Sequence, residues 1–165
     1  TVFNILGPLT NPAGARRQLI GVFDGGLTSR MAGVLQALGS ERAFAVHGGD
    51  GLDEITLTGP STVSELKDGA ITTYEVSPGD FGFETAPPAA LRGGSAADNA
   101  RILTAVLGGE AGPARNVVVM NAAAAITAGG LTVALEEGAV AAREAIDSGR
   151  ARQALAKLIE VSNRS

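Results

Sequence analysis

The apolar residues in the first part of the chain form two short continuous runs with a helically spaced segment between them. Gln18–Phe23 and Arg42–His47 are short apolar runs closed by glycine and aspartate, a pattern typical of buried strands. From Thr28 to Leu38, apolar residues recur at intervals of three, four and seven, which predicts an amphipathic helix that ends at Gly39. Strand, helix and strand joined by short links indicate a right-handed parallel crossover.

A different pattern follows in the middle of the chain. Ser61–Leu66 and Ala70–Val76 alternate or carry β-branched residues, and Asp68-Gly69 lies between them. This predicts a β-hairpin with Asp-Gly turn chemistry, placed at the edge of the sheet or outside it. Ser77–Arg92 is rich in proline and glycine, so we expect it to be a loop.

Helical spacing returns in the last part of the chain. Ser95–Leu107 is expected to be a helix with Ser95 as its N-cap. Asn116–Ala128 is apolar on nearly every side and predicts a buried helix, although Val117–Met120 could instead be strand-like. Thr132–Ser148 and Arg150–Ser162 are predicted to be two amphipathic helices.

These elements predict a single α/β domain over residues 1–165. We expect three layers, in which a mostly parallel or mixed sheet is flanked by helices and carries the hairpin at its periphery. The first residue is Thr1 rather than methionine, and an apolar segment follows at once. Because chain termini tend to be solvated, we expect this chain to be part of a longer protein; removal of an initial methionine is the alternative.

Composition narrows the classes of function. Apolar residues make up 45% of the 165 residues, and the net charge is −4 with no basic block, which argues against a nucleic-acid partner. The chain has no cysteine and one histidine, so disulfides and thiolate or histidine-rich metal sites are not expected. The apolar stretch from Val117 to Ile126 is shorter than the roughly 20 residues of a membrane span. We therefore expect a soluble cytoplasmic protein.

The most informative motif is His47-Gly-Gly-Asp-Gly-Leu-Asp-Glu54, which follows a predicted strand directly. Open α/β sheets place their ligand sites at such strand ends, and the glycines allow close approach of the backbone to a ligand. Asp53 and Glu54 offer hard oxygen ligands of the kind that Mg²⁺ prefers. The structural alternative is that this pair caps a following helix through its dipole. His47 could be catalytic, but a lone histidine at a strand end is more often a hydrogen-bonded packing residue.

Two further segments could carry chemistry. Asn4–Pro12 combines two Xaa-Pro turns with two asparagines, which could form a rigid wall beside a planar ligand or merely a structural corner. Gly93-Gly94-Ser95 precedes a predicted helix and could hold an anion at the helix N-terminus, but it lacks the spacing of nucleotide-binding loops.

Taken together, four motifs resemble the anthranilate phosphoribosyltransferase family: Thr1–Pro12, His47–Glu54, Gly93-Gly94 with Asn99, and Asn121-Ala-Ala123. The first two are long and specific, whereas the last two corroborate them. The resemblance extends from the first residue to the last helices. It implies an enzyme of tryptophan biosynthesis, in which the amine of anthranilate attacks C1 of 5-phosphoribosyl 1-diphosphate and pyrophosphate leaves.

The resemblance also implies an architecture and a site. In this family a small helical domain is joined to a larger α/β domain, usually in a homodimer, and Mg²⁺ ions accompany the diphosphate. The family's metal-binding Asp-Glu corresponds to Asp53 and Glu54, and Gly7 and Pro8 correspond to part of the wall near anthranilate. The family's helical domain, glycine-rich diphosphate loop and anthranilate-binding arginine have no counterpart in this chain. We therefore expect the segment alone to be inactive.

Two other functions remain open at this point. A pyrimidine nucleoside phosphorylase of the same fold would break an N-glycosidic bond with phosphate. A noncatalytic relative could keep the fold and bind nucleic acid or a protein. The Asp-Glu pair and the Asn4–Pro12 segment favour the transferase.

Overall fold

In a computed structural model, the described part of the chain comprises Gly7 and residues 9–164. Its strands form one sheet: β1 (Arg17–Gly21), β2 (Arg42–Gly48), β3 (Ser61–Lys67) and β4 (Ala70–Val76). The order in the sheet is the order in the chain. β1 and β2 pair in parallel, whereas β2–β3 and β3–β4 pair antiparallel. The predicted mixed sheet is therefore confirmed.

The predicted hairpin is part of this sheet. Asp68 and Gly69 both have left-handed backbone angles, with φ of 51° and 77°, as a two-residue type I′ turn requires. β3 pairs with β2 along its whole length, and β4 lies outside β3. The predicted edge position is confirmed, and the alternative of a hairpin outside the sheet is wrong.

The helices follow the predicted segments with small shifts at their starts. They are α1 (Thr28–Ala37), α2 (Ala96–Leu107), α3 (Pro113–Ala128), α4 (Leu135–Asp147) and α5 (Arg150–Ser162). The predicted N-cap of α2 is confirmed, because the Ser95 hydroxyl and the Asp98 carboxylate form a reciprocal capping box. α3 begins three residues before the predicted start because Pro113 occupies its first turn, and the strand-like alternative for Val117–Met120 is wrong.

One further sequence expectation differs from the structure. The segment between β4 and α2 contains two short 3₁₀ turns, Pro78–Phe81 and Pro88–Leu91, where we expected an irregular loop. Residues 1–6 and 8, which include part of the Asn4–Pro12 segment, lie outside the described residues.

Side chains of the sheet alternate between two apolar cores. Ala43 and Ala45 of β2 face α1, where Leu35 is fully buried. Phe44 and Val46 face the opposite side and pack in a second core with residues of α3 and α4. The sheet therefore lies between α1 on one face and α3 and α4 on the other, which confirms the expected layers.

Candidate functional site

The parallel pair β1 and β2 determines where a site can lie. Both strands run in the same direction, so their carboxyl ends, Gly21 and Gly48, meet at the same edge of the sheet. Residues 49–60 follow β2 and lead to β3 without forming a helix; we call them the carboxylate loop. Because no helix follows Asp53 and Glu54, the structural alternative that they cap one is wrong.

Asp50 stabilises the carboxylate loop through hydrogen bonds to other residues of the loop. Its carboxylate accepts hydrogen bonds from the hydroxyls of Thr56 and Thr58, each at 2.7 Å, and from the backbone N–H of Leu52 at 3.3 Å. Partial burial tends to raise the pKa of Asp50, but these hydrogen bonds outweigh it and leave the pKa below its usual value. Asp50 is therefore committed to holding the loop together.

Asp53 and Glu54 differ from Asp50 in their partners rather than in their exposure, since all three residues are exposed. Partial burial of its carboxyl group raises the pKa of Glu54, and repulsion from the Asp53 carboxylate raises it further. Within residues 9–164, no lysine or arginine forms an ion pair with either carboxylate. Two adjacent carboxylates without a cationic partner favour binding of an external cation.

The donor set suits one type of ion. In the described part of the chain, no group of three or more histidine, cysteine or acidic side chains could enclose a metal by itself. Mg²⁺ is typically held by one or two carboxylates, with substrate phosphates and water completing its shell. Asp53 and Glu54 fit that requirement, whereas a site built wholly from protein ligands does not fit.

Two contacts fix the backbone on either side of Glu54. A Cβ added at Gly21 would lie 1.6 Å from the carbonyl oxygen of Asp53, so the loop rests directly on the end of β1. The amide of Asn121 on α3 accepts a hydrogen bond from the Ile55 N–H at 2.9 Å and donates one to the Ile55 carbonyl oxygen at 2.8 Å. The carboxylate pair is thus carried by a backbone segment anchored at both ends.

Sequence reasoning missed the role of Gly21, which it included only as part of an apolar run. A glycine at the end of a buried strand is a signal for close approach of another backbone. The sequence offers no way to identify which segment approaches it.

The Gly93-Gly94 and Asn99 motif lies beside the same loop. Glu54 lines a cavity of about 370 Å³ together with Gly93, Asn99 and apolar residues of α2 and α3. The Asn99 amide accepts a hydrogen bond from the Gly94 N–H at 2.9 Å, and a Cβ at Gly93 would lie 2.6 Å from the same amide oxygen. The glycines therefore allow Asn99 to close the turn that forms one wall of the cavity.

This geometry weakens the idea of an anion site at the start of α2. The N–H groups of Gly94 and Ser95 donate to the side chains of Asn99 and Asp98, and the Asp98 N–H donates to the Ser95 hydroxyl. Three of the N–H groups around the start of α2 are thus already engaged within the chain, and Asp98 adds a negative charge there. The motif is better explained as a cap and a turn.

The described residues of the Thr1–Pro12 motif lie beside β1. Gly7 lines an open cavity of about 510 Å³ together with Thr10, Asn11, Pro12 and the β1 residues Gln18 to Gly21. Gly21 thus borders this cavity and also contacts the backbone of Asp53. The two long motifs therefore adjoin at the end of β1. Pro8 lies outside the described residues.

His47 links β2 to the segment that follows β1. Its Nδ1 lies 2.8 Å from the carbonyl oxygen of Val22, within hydrogen-bonding distance, and a Cβ at Gly25 would contact its ring at 3.2 Å. A neutral ring making this bond carries its proton on Nδ1. These contacts favour the packing role over the catalytic one.

Comparison with known proteins identifies the family to which this fold and site belong. Residues 1–152 match the family model described as the glycosyl transferase family, a/b domain. The chain belongs to that family. Among its members, the anthranilate phosphoribosyltransferase of Rubrobacter xylanophilus is 53% identical over 165 residues, which cover 99% of this chain and 48% of that protein.

Solved structures agree with this comparison. The crystal structure of anthranilate phosphoribosyltransferase from Thermus thermophilus matches with a TM-score of 0.87 and 42% identity, over 95% of this chain and 46% of that one. The Saccharomyces cerevisiae enzyme in complex with PRPP and Mg matches with a TM-score of 0.86 and 31% identity, over 97% of this chain and 46% of that one. The resemblance inferred from the motifs is confirmed, and the chain spans about half the length of these relatives. None of the described helices is long and apolar enough to cross a membrane.

Proposed function

We propose that this chain is the carboxyl-terminal part of the α/β domain of an anthranilate phosphoribosyltransferase. The complete enzyme would transfer the phosphoribosyl group from 5-phosphoribosyl 1-diphosphate to the amine of anthranilate and release pyrophosphate. The observation that carries this proposal is the exposed Asp53–Glu54 couple at the carboxyl ends of two parallel strands, which has no ion-pair partner among residues 9–164. Relatives of that name match nearly the whole chain.

In this reaction, Asp53 and Glu54 would hold the metal that accompanies the diphosphate. Negative charge builds on the departing pyrophosphate as the glycosidic bond breaks, and the ribose gains oxocarbenium character. When bound, Mg²⁺ would supply Lewis-acid stabilisation of that charge. The chain's own contribution is to present two carboxylates on an anchored loop, so that the diphosphate is held in one orientation.

Anthranilate is the second substrate in this proposal. Its aromatic amine is already a neutral nucleophile, so the reaction does not need a strong protein base. Gly7 and Pro8 would form part of the wall beside it, next to the cavity that borders Gly21. The position of Gly21 between this cavity and Asp53 supports an arrangement in which both substrates meet at the end of β1.

The remaining parts of the enzyme would lie outside residues 1–165. They would include the helical domain, the glycine-rich diphosphate loop and the arginine that meets the anthranilate carboxylate. The complete protein would be a soluble, cytoplasmic homodimer without a nucleic-acid or membrane partner. The 165-residue chain, which provides one side of the cleft, would be inactive alone.

The test uses the full-length protein and its Asp53→Asn variant, which keeps the shape of the side chain and removes its charge. We expect the wild type to transfer phosphoribose to anthranilate in an Mg²⁺-dependent manner. We expect Asp53→Asn to lose at least about a hundredfold in kcat/KM, equivalent to roughly 2.7 kcal/mol. Glu75→Gln, which neutralises an exposed carboxylate on β4, is the matched control and should retain activity.

Three outcomes would count against the proposal. Wild-type activity and normal Mg²⁺ dependence in Asp53→Asn would refute the metal assignment. Phosphorolysis of thymidine or uridine without transfer to anthranilate would identify a pyrimidine nucleoside phosphorylase. Transfer at a normal rate by the isolated 165-residue chain would contradict the division of the site.

A further inference from the structure

Asn121 is a half-buried amide in the middle of α3, flanked by apolar residues, and both its oxygen and its two N–H groups are hydrogen-bonded. Its oxygen accepts from the Ile55 N–H at 2.9 Å. Its two N–H groups donate to the carbonyl oxygens of Ile55 at 2.8 Å and Val117 at 3.0 Å. The side chain therefore has one orientation, set by its own helix on one side and by the carboxylate loop on the other.

The pattern at Ile55 is the one that a neighbouring strand would provide, since both backbone groups of one residue are bound by one partner. Ile55 is fully buried and follows Glu54 directly. Its N–H belongs to the peptide group that joins Glu54 to Ile55, so the bond to Asn121 fixes the plane of that peptide. On the other side, the carbonyl group of Asp53 rests on Gly21.

We infer that Asn121 is a positioning residue, which orients Asp53 and Glu54 toward a divalent cation through its two hydrogen bonds to Ile55. This inference rests on the proposed function, because it assigns a role in the same metal site. Residues that orient metal ligands without touching the metal typically contribute tenfold to a hundredfold in metal affinity. Asn121 would act at that level, and it would not contact either substrate.

If Asn121 only stabilised the fold, its loss would lower stability without specifically weakening metal binding. A second polar residue of α3 provides the control for this alternative. Thr127 is a buried polar residue near the carboxyl end of the same helix. Its hydroxyl lies 2.9 Å from the Thr132 hydroxyl and 3.2 Å from the Ala134 carbonyl oxygen. Thr127→Val removes buried hydrogen bonds of α3 without touching the carboxylate loop. Both Asn121→Ala and Thr127→Val should lower the unfolding temperature, but only the first should weaken metal binding.

The experiment measures binding of Mn²⁺, as a spectroscopic probe for Mg²⁺, to the full-length protein in the presence of pyrophosphate. Electron paramagnetic resonance gives the free Mn²⁺ concentration, which is compared with that of a protein-free solution because pyrophosphate itself binds Mn²⁺; the readout is independent of turnover. We expect Asn121→Ala to weaken Mn²⁺ binding about 10- to 100-fold. Thr127→Val should change it by no more than about twofold. If Asn121→Ala does not fold, Asn121→Ser replaces it, since its short hydroxyl cannot reach both backbone groups of Ile55.

The outcomes separate this inference from the function on which it rests. Unchanged Mn²⁺ binding in the folded Asn121 variant, or equal weakening in Thr127→Val, would overturn the positioning role. Binding that is weakened by Asp53→Asn but not by the Asn121 variant would overturn this inference and leave the proposed function standing. A wild type that binds no Mn²⁺ with pyrophosphate would overturn both.

Discussion

The contact between β1 and the carboxylate loop allows a sharp test, because the substitution Gly21→Ala adds a single methyl group at a known place. That methyl carbon would lie 1.6 Å from the Asp53 carbonyl oxygen and 2.6 Å from its carbonyl carbon. Real Cβ atoms stay beyond 3.0 Å, so something must move by at least about 1.4 Å. Gly21 is held by its parallel pairing with Val46 in the sheet, whereas Asp53 lies on an exposed loop. We therefore expect the Asp53 backbone to move.

The consequence for activity should be larger than the consequence for folding. A misplacement of about 1 Å in a reacting constellation can cost roughly a hundredfold in rate. Overpacking by one methyl group typically costs about 1–3 kcal/mol of stability. For the full-length protein carrying Gly21→Ala, we expect kcat/KM for phosphoribosyl transfer to fall about a hundredfold. A higher Mg²⁺ concentration should be needed for half-maximal activity.

The matched control is Gly59→Ala, a change of the same size in the same loop. A Cβ at Gly59 would have no heavy atom within 4 Å, and its backbone is not left-handed, so the added methyl should be accommodated. Steady-state rates as a function of Mg²⁺, with thermal unfolding measured in parallel, distinguish the two variants. Wild-type rates and Mg²⁺ dependence in Gly21→Ala, or an equal loss in Gly59→Ala, would refute the reasoning.

Two further predictions concern Asp50 in the carboxylate loop and two glycines in the helices that cover the sheet. Asp50→Asn should lower the unfolding free energy in urea by about 1.5 kcal/mol at pH 7, because it removes a charged hydrogen-bond acceptor. The pKa of Asp50 is lowered in the folded state, so this contribution is present above the usual value of 3.8 and is lost as pH falls through the lower folded-state pKa. A difference that stays constant down to pH 3 would contradict this. Gly138→Ala should destabilise by about 1–3 kcal/mol, because its Cβ would lie 2.6 Å from the Ala123 carbonyl oxygen. By contrast, a Cβ at Gly33 on α1 would have its nearest heavy atom at 3.9 Å, so Gly33→Ala should raise the free energy of unfolding by up to about 1 kcal/mol. Urea unfolding in which both glycine substitutions change the free energy of unfolding in the same direction would exclude this explanation.

The elements could be predicted wherever their signals are local. The β-hairpin follows from alternation around Asp68-Gly69, whose residue types permit the left-handed turn that is observed. The start of α2 follows from Ser95 and the acidic residue three positions later. The start of α4 is predicted less accurately, because the helix begins at Leu135 whereas the sequence predicted a start at Thr132. Helix starts without a side-chain cap leave little trace in the sequence.

The candidate site could be predicted only in part, because the contacts that support it join distant parts of the chain. Asp53 and Glu54 are recognisable as acidic residues after a glycine-rich strand end. The partner of Ile55 is not recognisable, since Asn121 lies 66 residues away and interrupts an apolar helix without any local sign of its role. The same holds for Gly21, which contacts Asp53 across 32 positions of sequence.

The two aspartates of the carboxylate loop show why residue type alone could not divide the work between them. Asp50 and Asp53 are three residues apart in the same glycine-rich segment. Two threonine hydroxyls converge on Asp50, whose pKa is lowered and whose charge is used within the loop. Asp53 has no ion-pair partner among residues 9–164, and its charge adds to the effect of partial burial, the larger cause, in raising the pKa of Glu54. An anchored loop that concentrates uncompensated negative charge on one exposed rim is destabilised by that charge, and a bound cation would offset the repulsion. That conclusion depends on where the hydroxyls of Thr56 and Thr58 point, which the spacing of residues in the motif does not reveal.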